Sequence, residues 1–338
     1  MKYVTLGRSG LKVSGVCLGA GVFGRDADEK SSFKLMDRFV ELGGNFIDTA
    51  ELYVHGISEE IIGRWLKQRA ARDKVVLATK VFGTAPQGSN GSGLSRAYIR
   101  HGVEASLKRL QTSNIDLYQI HRWDPNTPPE ETLGALNDLV RSGKVNYLGC
   151  STLAPWQLSK YLTIADQYDW PRFVSIQFPY NALNRSVEKE ILPLCQQKGL
   201  AVIAYNPLAG GMLTGKYRRG GKPPLGARFD LAGQPSDEGL RIARMYRDRY
   251  MTNEAFDIVE RFAEFANQKG LTPAQLAMAW VVAEPRVTCP NLGARSAEQF
   301  EDAASGLNVK LTPEQRAAIP AVPPDRWVGR DPLYDGQV

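Results

Sequence analysis

Short apolar runs rich in β-formers recur along the chain at regular intervals: VCLG (16–19), NFID (45–48), VVLATK (75–80), IDLYQIH (115–121), VNYLGC (145–150), FVSIQF (173–178), LAVIAY (200–205) and VTCPNLG (287–293), eight in all. Their near-continuous apolarity, rather than strict alternation, is that of parallel strands covered on both faces. Between them lie segments with helical periodicity, among them EKSSFKLMDRFVELG, SEEIIGRWLKQRA, LSRAYIRHGVEASLKRL and EETLGALNDLVRSG. Gly43, Gly143 and Gly199 each follow the last periodic residue of such a segment, as glycine does where a helix ends. Eight strand–helix alternations without a linker or low-complexity segment predict an α/β fold, a (β/α)8 barrel spanning residues 1–338 as a single domain. An open doubly wound sheet is the competing architecture, but LGAGVFG after the first run lacks the GxGxxG spacing such sheets carry. Two strand-like pieces, KYVTL and LKVS, precede the alternation and predict an N-terminal β-hairpin. One long interruption, 206–237, is rich in Gly, Pro and Arg and is expected to be a functional or mobile loop after strand 7.

Composition changes this picture little. A hydrophobic share of 43% and a charged share of 23% are those of a soluble globular chain. The formal charge of +6 is spread out; the densest basic run, RIARMYRDRY (241–250), is broken by Asp248. That is no nucleic-acid stripe, and a local anion site or a solvated surface accounts for it. Cys17, Cys150, Cys195 and Cys289 are far apart with no CxxC spacing, so a disulfide framework is not expected and a reducing, cytoplasmic interior is. The N-terminus turns polar within ten residues, and no apolar run reaches membrane-spanning length, so neither a signal peptide nor a membrane partner is expected.

Active sites of barrels of this kind gather at the C-terminal ends of the strands. Reading those ends gives Asp48 after strand 2, Lys80 closing strand 3 and His121 closing strand 4, with Tyr53 in the loop after strand 2. Taken singly, Asp48 is a turn former, Tyr53 a surface ring and His121 a structural imidazole. Together they make a workable proton donor. A phenol gives up its proton reluctantly at neutral pH, with an ordinary pKa of about 10. A neighbouring ammonium, Lys80, favours the phenolate, and Asp48 would hold that ammonium in place. His121 is suited to donate to a carbonyl oxygen. The set has no nucleophile–base pair for acyl transfer, and His55, His101 and His121 show no metal-ligand spacing.

The stretches GGNFIDTAELYVHGISEEIIGRWLK, LATKV and IDLYQIHRWD resemble the signatures of the aldo-keto reductase superfamily, in the bacterial branch related to potassium-channel β-subunits. The resemblance implies a catalytic tetrad of Tyr53 as general acid, Lys80 and Asp48 tuning it, and His121 orienting the carbonyl. It further implies NADPH, with NADH as second choice, bound without a Rossmann domain. Gln177 in SIQFPYN would hold the nicotinamide carboxamide with Ser151 and Thr152, and Asp48 would border the cofactor. Tyr205 would stack on the nicotinamide; Asn206, Leu208, Gly210 and Lys216 would contact the pyrophosphate, and Arg228 would reach a phosphate. In NLGARSAEQFED, Gly293, Arg295 and Gln299 match the adenosine-phosphate site. Trp123 is expected to line the substrate pocket.

The chain also departs from the family pattern. Thr152 stands where asparagine is usual, Ala303 where an asparagine often meets adenine, and Val54 where glycine is common. The expected activity is reduction of a small-molecule aldehyde or ketone, or the reverse oxidation. Two rivals stay open: a non-catalytic nicotinamide-binding subunit, and an aldolase using Lys80 as a Schiff base. These residues specify neither which carbonyl is taken nor whether the chain works as monomer or homo-oligomer.

Overall fold

The computed structural model describes residues 1–83, 90–234, 236–324 and 326. Strands β1 (Tyr3–Thr5) and β2 (Lys12–Ser14) pair antiparallel as the expected hairpin. Strands β3 (Cys17–Gly19), β4 (Phe46–Asp48), β5 (Val76–Val81), β6 (Ile115–Ile120), β7 (Val145–Ser151), β8 (Phe173–Pro179), β9 (Ala201–Tyr205) and β10 (Cys289–Leu292) fall on the eight apolar runs. They close into a barrel in the order β10-β3-β4-β5-β6-β7-β8-β9. The fold is therefore the (β/α)8 barrel. Every residue of β4 and β5 is buried, the burial on both faces that their apolar sequences require.

The four periodic segments form α1 (Glu29–Glu41), α2 (Ile57–Arg69), α3 (Arg96–Leu110) and α4 (Pro129–Arg141), with α5 (Pro155–Gln167) after β7. Side-chain caps fix the starts of α1 and α3: Asp28 Oδ1 accepts from Ser31 N at 2.8 Å, and Ser95 Oγ from Tyr98 N at 3.2 Å. Gly43 ends the α1 turn at φ +82°, its N–H bonded to the Val40 carbonyl at 2.9 Å.

Packing divides the chain into two compact units. The first comprises Met1–Phe178, Leu194–Ile203 and Asn291–Phe300; the second comprises Pro179–Pro193, Ala204–Pro290 and Glu301–Val338. The second contains α6 (Asp237–Tyr250), α7 (Asn253–Gln268) and α8 (Pro273–Val282). In it Trp280 is buried beneath the Arg316 guanidinium at 4.3 Å from the ring centre, and Arg316 also donates to the Tyr180 hydroxyl at 2.5 Å. The interruption at 206–237 is only partly irregular. A short 3-10 turn occupies Ala209–Thr214, with Gly210 and Gly211 at φ +67° and +95°. From Lys216 to Gln234 there is neither helix nor strand, and residue 235 lies outside the described residues.

Candidate active site

Five polar side chains of the first unit are buried on barrel strands whose runs are largely apolar: Asp48 on β4, Lys80 on β5, Gln119 on β6, Gln177 on β8 and Asn291 on β10. None is more than 8% exposed. Asp48 is their centre. Its Oδ2 accepts from Lys80 Nζ at 2.5 Å and from Asn291 Nδ2 at 2.8 Å. Its Oδ1 accepts from Gln119 Nε2 at 2.9 Å and Gln177 Nε2 at 2.7 Å. A carboxylate has about four lone-pair sites, and these donors occupy them all. Asn291 reaches Asp48 because Gly19, on the neighbouring β3, has no side chain; a Cβ there would overlap Asn291 Oδ1.

Lys80 passes this order on to Tyr53. Its Nζ also donates to the Thr49 carbonyl at 2.9 Å and to the Tyr53 hydroxyl at 3.2 Å. The Tyr53 ring meets the His121 ring edge-on, 5.8 Å between centres. The four tetrad residues thus come together as expected. Tyr53 opens a short 3-10 turn, Tyr53–Gly56, whose next two residues leave ordinary backbone space: Val54 at φ +52° and His55 at φ +54°. A β-branched residue in this left-handed region is strained. The left-handed conformation costs about 1–2 kcal/mol, against which glycine's extra unfolded-state freedom sets ~0.5–1 kcal/mol. Val54→Gly should therefore stabilise the protein by a net ~0.5–1 kcal/mol, seen as a higher unfolding midpoint. An unchanged or lower midpoint would mean that packing of the Val54 side chain outweighs the strain.

The electrostatics suit the arrangement. Burial disfavours charge on Lys80, but the Asp48 carboxylate and the Tyr53 phenol outweigh it and raise its pKa above that of a free lysine. Lys80 is held as an ammonium. A Schiff-base lysine needs the opposite, an amine whose pKa is depressed. His121 moves the other way: burial, then the nearby Lys80 and Arg122 charges, push it well below the ordinary histidine range. At neutral pH it is a neutral imidazole, with one N–H to donate and one nitrogen to accept. Its Nδ1 is buried with no hydrogen-bond partner among the described residues.

The residues expected to meet a cofactor fall in distinct places. In the first unit Ser151 ends β7 and pairs in register with Gln177 of β8, and Thr152 N donates to the Gln177 carbonyl at 2.8 Å. The Ser151 and Thr152 hydroxyls lie 3.1 Å apart. Thr152 sits at φ +52°, a conformation asparagine tolerates better than a β-branched residue. Gly293 follows β10, and Gln299 Oε1 accepts from the Arg295 backbone N–H at 3.2 Å. The Arg295 guanidinium lies 3.9 Å from Asp26, which pairs more closely with Arg25 at 2.7 Å. In the second unit Asn206, at φ +60°, accepts from Gly210 N at 2.6 Å and donates to Tyr250 at 2.8 Å, so it shapes the turn that holds Leu208. Arg228 stacks 5.0 Å over Tyr246, and Lys216 lies 5.2 Å from the Tyr217 ring centre. Tyr205 ends β9 half-buried. Trp123, two residues past His121, is half-buried edge-on against Trp156 and Tyr161 at 5.3 and 5.4 Å.

Gln119 and Asn291 are the residues that the sequence reading missed. The available signal was a polar amide inside an apolar strand, which burial without partners makes costly. A further one is Glu51, a buried residue lying between Asp48 and Tyr53 in the sequence, which accepts from the Phe82 and Gly83 backbone amides at 2.7 and 2.5 Å. It ties the chain leaving β5, just past Lys80, to the loop that carries Tyr53.

The sequence matches the aldo/keto reductase family model over residues 15–323. Among curated proteins it is 39% identical to an uncharacterised oxidoreductase, YrpG, of Bacillus subtilis, covering 93% of each chain. It is 36% identical to versiconal hemiacetal acetate reductase of Aspergillus parasiticus, over 93% of this chain and 95% of that one. It is also 36% identical to a probable voltage-gated potassium channel subunit beta of Oryza sativa, over 95% and 96%. With similarity over nearly its full length, and with an ammonium braced between carboxylate and phenol inside a closed barrel, the chain belongs to the aldo/keto reductase family, as an NAD(P)-dependent carbonyl-reducing oxidoreductase.

Proposed function

We propose that the protein reduces an aldehyde or ketone to an alcohol, or catalyses the reverse, with NADPH as cofactor and Tyr53 as general acid. The observation that carries this reading is the Lys80 ammonium, which donates to Asp48 on one side and to the Tyr53 oxygen on the other. That contact uses a lone pair of the phenol oxygen and stabilises the phenolate left after proton transfer. Neutral His121 orients the carbonyl oxygen by donating an N–H. The first-unit residues fit a nicotinamide carboxamide. Gln177 Nε2 spends its hydrogens on Asp48 and Gln119, so Gln177 Oε1, which accepts a long contact from Asn291 Nδ2 at 3.5 Å, is its side for an incoming amide N–H. The Ser151 and Thr152 hydroxyls share one hydrogen between them, and the other hydrogen would donate to a carboxamide oxygen. Bound NADPH would supply the hydride. Tyr205, Asn206, Leu208, Gly210, Lys216 and Arg228 are kept as nicotinamide and phosphate contacts on the resemblance alone.

A single-domain organisation is supported by the family match, which runs unbroken over residues 15–323. Four buried free thiols accord with a cytoplasmic location, and among the described residues no helix is long and apolar enough to cross a membrane. A panel of aldehydes and ketones offered with NADPH, followed by nicotinamide absorbance, tests the activity. Tight cofactor binding with no turnover on any of them would favour the non-catalytic reading, which the potassium-channel-subunit relative motivates.

Cofactor choice rests on Arg295. A guanidinium meeting a 2′-phosphate makes charge-assisted bonds that NADH does not offer. Such bonds contribute about 1.5–3 kcal/mol, roughly ten- to hundredfold in affinity. Asp26 near Arg295 offsets part of that charge, although Arg25 engages it more closely, so the preference should sit near the lower end, about tenfold. Dissociation constants of NADPH and NADH, at fixed salt, in wild type and Arg295→Ala check this. Equal constants in wild type, or a preference untouched by Arg295→Ala, would remove Arg295 from the selection.

A further inference from the structure

A basic cavity opens at the N-terminal end of β8, away from the catalytic end of that strand. It has a volume of about 260 Å³ and is lined by Arg8, Arg172, Phe173, Val174, Lys198 and Gly199, all in the first unit. Phe173 is the first residue of β8; Gln177, in the Asp48 network, lies about 13 Å further along the strand.

Two features show that these cations are placed rather than scattered. Gly7, at φ +59°, lies so close to the Val174 carbonyl that a Cβ would overlap it, which seats the β1–β2 connection directly on the β8 backbone. Arg8 N then donates to the Gly199 carbonyl at 3.0 Å, and the Arg8 stem fills the space a side chain at 199 would need. The second feature is cationic charge in excess of its partners. Arg172, half-buried, has only Asp166 in ion-pair range, 3.4 Å from its Nε, among the described residues. Arg8 and Lys198, both exposed, have no carboxylate in ion-pair range among the described residues.

We infer that this cavity binds a small phosphate-type oxyanion, either free phosphate or the phosphate of a small phosphomonoester. Arg172 and Arg8 supply guanidinium forks, the geometry that suits a tetrahedral oxyanion, and Lys198 adds a point charge. The volume admits a phosphate with a few attached atoms and is small for a whole nucleotide. The site takes no part in hydride transfer and is independent of the proposed activity.

Calorimetric titration of the full-length protein with inorganic phosphate, at constant ionic strength with chloride as the replaced anion, tests it. Saturable binding is expected, weakened about tenfold or more in the double variant Arg8→Ala/Lys198→Ala and retained in Arg295→Ala. Carbonyl reduction by the double variant should stay at the wild-type level. Lys198→Glu, at an exposed position, should weaken binding likewise and keeps the test decisive if the double variant folds poorly. The inference is overturned by an absence of saturable binding in wild type. Wild-type affinity in the variants overturns it too, as does loss of binding in Arg295→Ala. Association with phosphatidylglycerol vesicles but not with phosphate would place a lipid surface there instead.

Discussion

Tyr53→Phe should lower turnover by ~10²-fold or more, the scale of general acid catalysis. It should leave the fold and cofactor affinity nearly unchanged. The ring is kept, so its edge contact with His121 and its place beside Lys80 survive. Lys80 is not stranded, because Asp48 and the Thr49 carbonyl still accept from it at 2.5 and 2.9 Å. What disappears is the transferable proton. Turnover at saturating substrate, with cofactor binding followed by fluorescence quenching and stability by thermal unfolding, separates these effects. Near wild-type turnover would remove Tyr53 as the acid. A fall in turnover matched by a fall in unfolding midpoint would instead point to a packing role.

The parts of this molecule that could be read in advance are those whose physics is local. Parallel strands buried on both faces are largely apolar, so all eight barrel strands were legible, and Asp48, Lys80 and His121 stood out as charged or titratable endings to apolar runs. Gln119 and Asn291 escaped because an uncharged amide in a strand reveals itself only once barrel closure brings β6 and β10 to the same carboxylate. The Asp26–Arg295 approach joins residues far apart in the chain and has no local signal. Val54 was visible as a departure from glycine, but its positive φ was not, since backbone strain is imposed by the surrounding fold. The loop at 206–237 was seen as an interruption, and its 3-10 turn went unread because two glycines at positive φ disguise it.

Lys80→Met tests the centre of the site and should cost both rate and stability. The rate should fall by at least ~10²-fold, because the phenol loses the charge that stabilises its anion. Breaking a buried ion pair from one side costs about 3–5 kcal/mol where the remaining charge has no other partner. Asp48 keeps three amide donors from Gln119, Gln177 and Asn291, so the cost should lie near the lower figure. Lys80→Arg restores a cation, but a planar fork cannot reproduce a compact ammonium that reaches Asp48, the Thr49 carbonyl and Tyr53 at once. It should rescue stability more than rate. Adding Asp48→Asn to Lys80→Met removes both charges, and discharging both partners of a pair is far milder than stranding one. That double variant should regain much of the lost unfolding midpoint while remaining inactive. A fully active Lys80→Arg would reduce Lys80 to a generic cation. A double variant no more stable than Lys80→Met would mean that the stranded Asp48 charge is not what destabilises it.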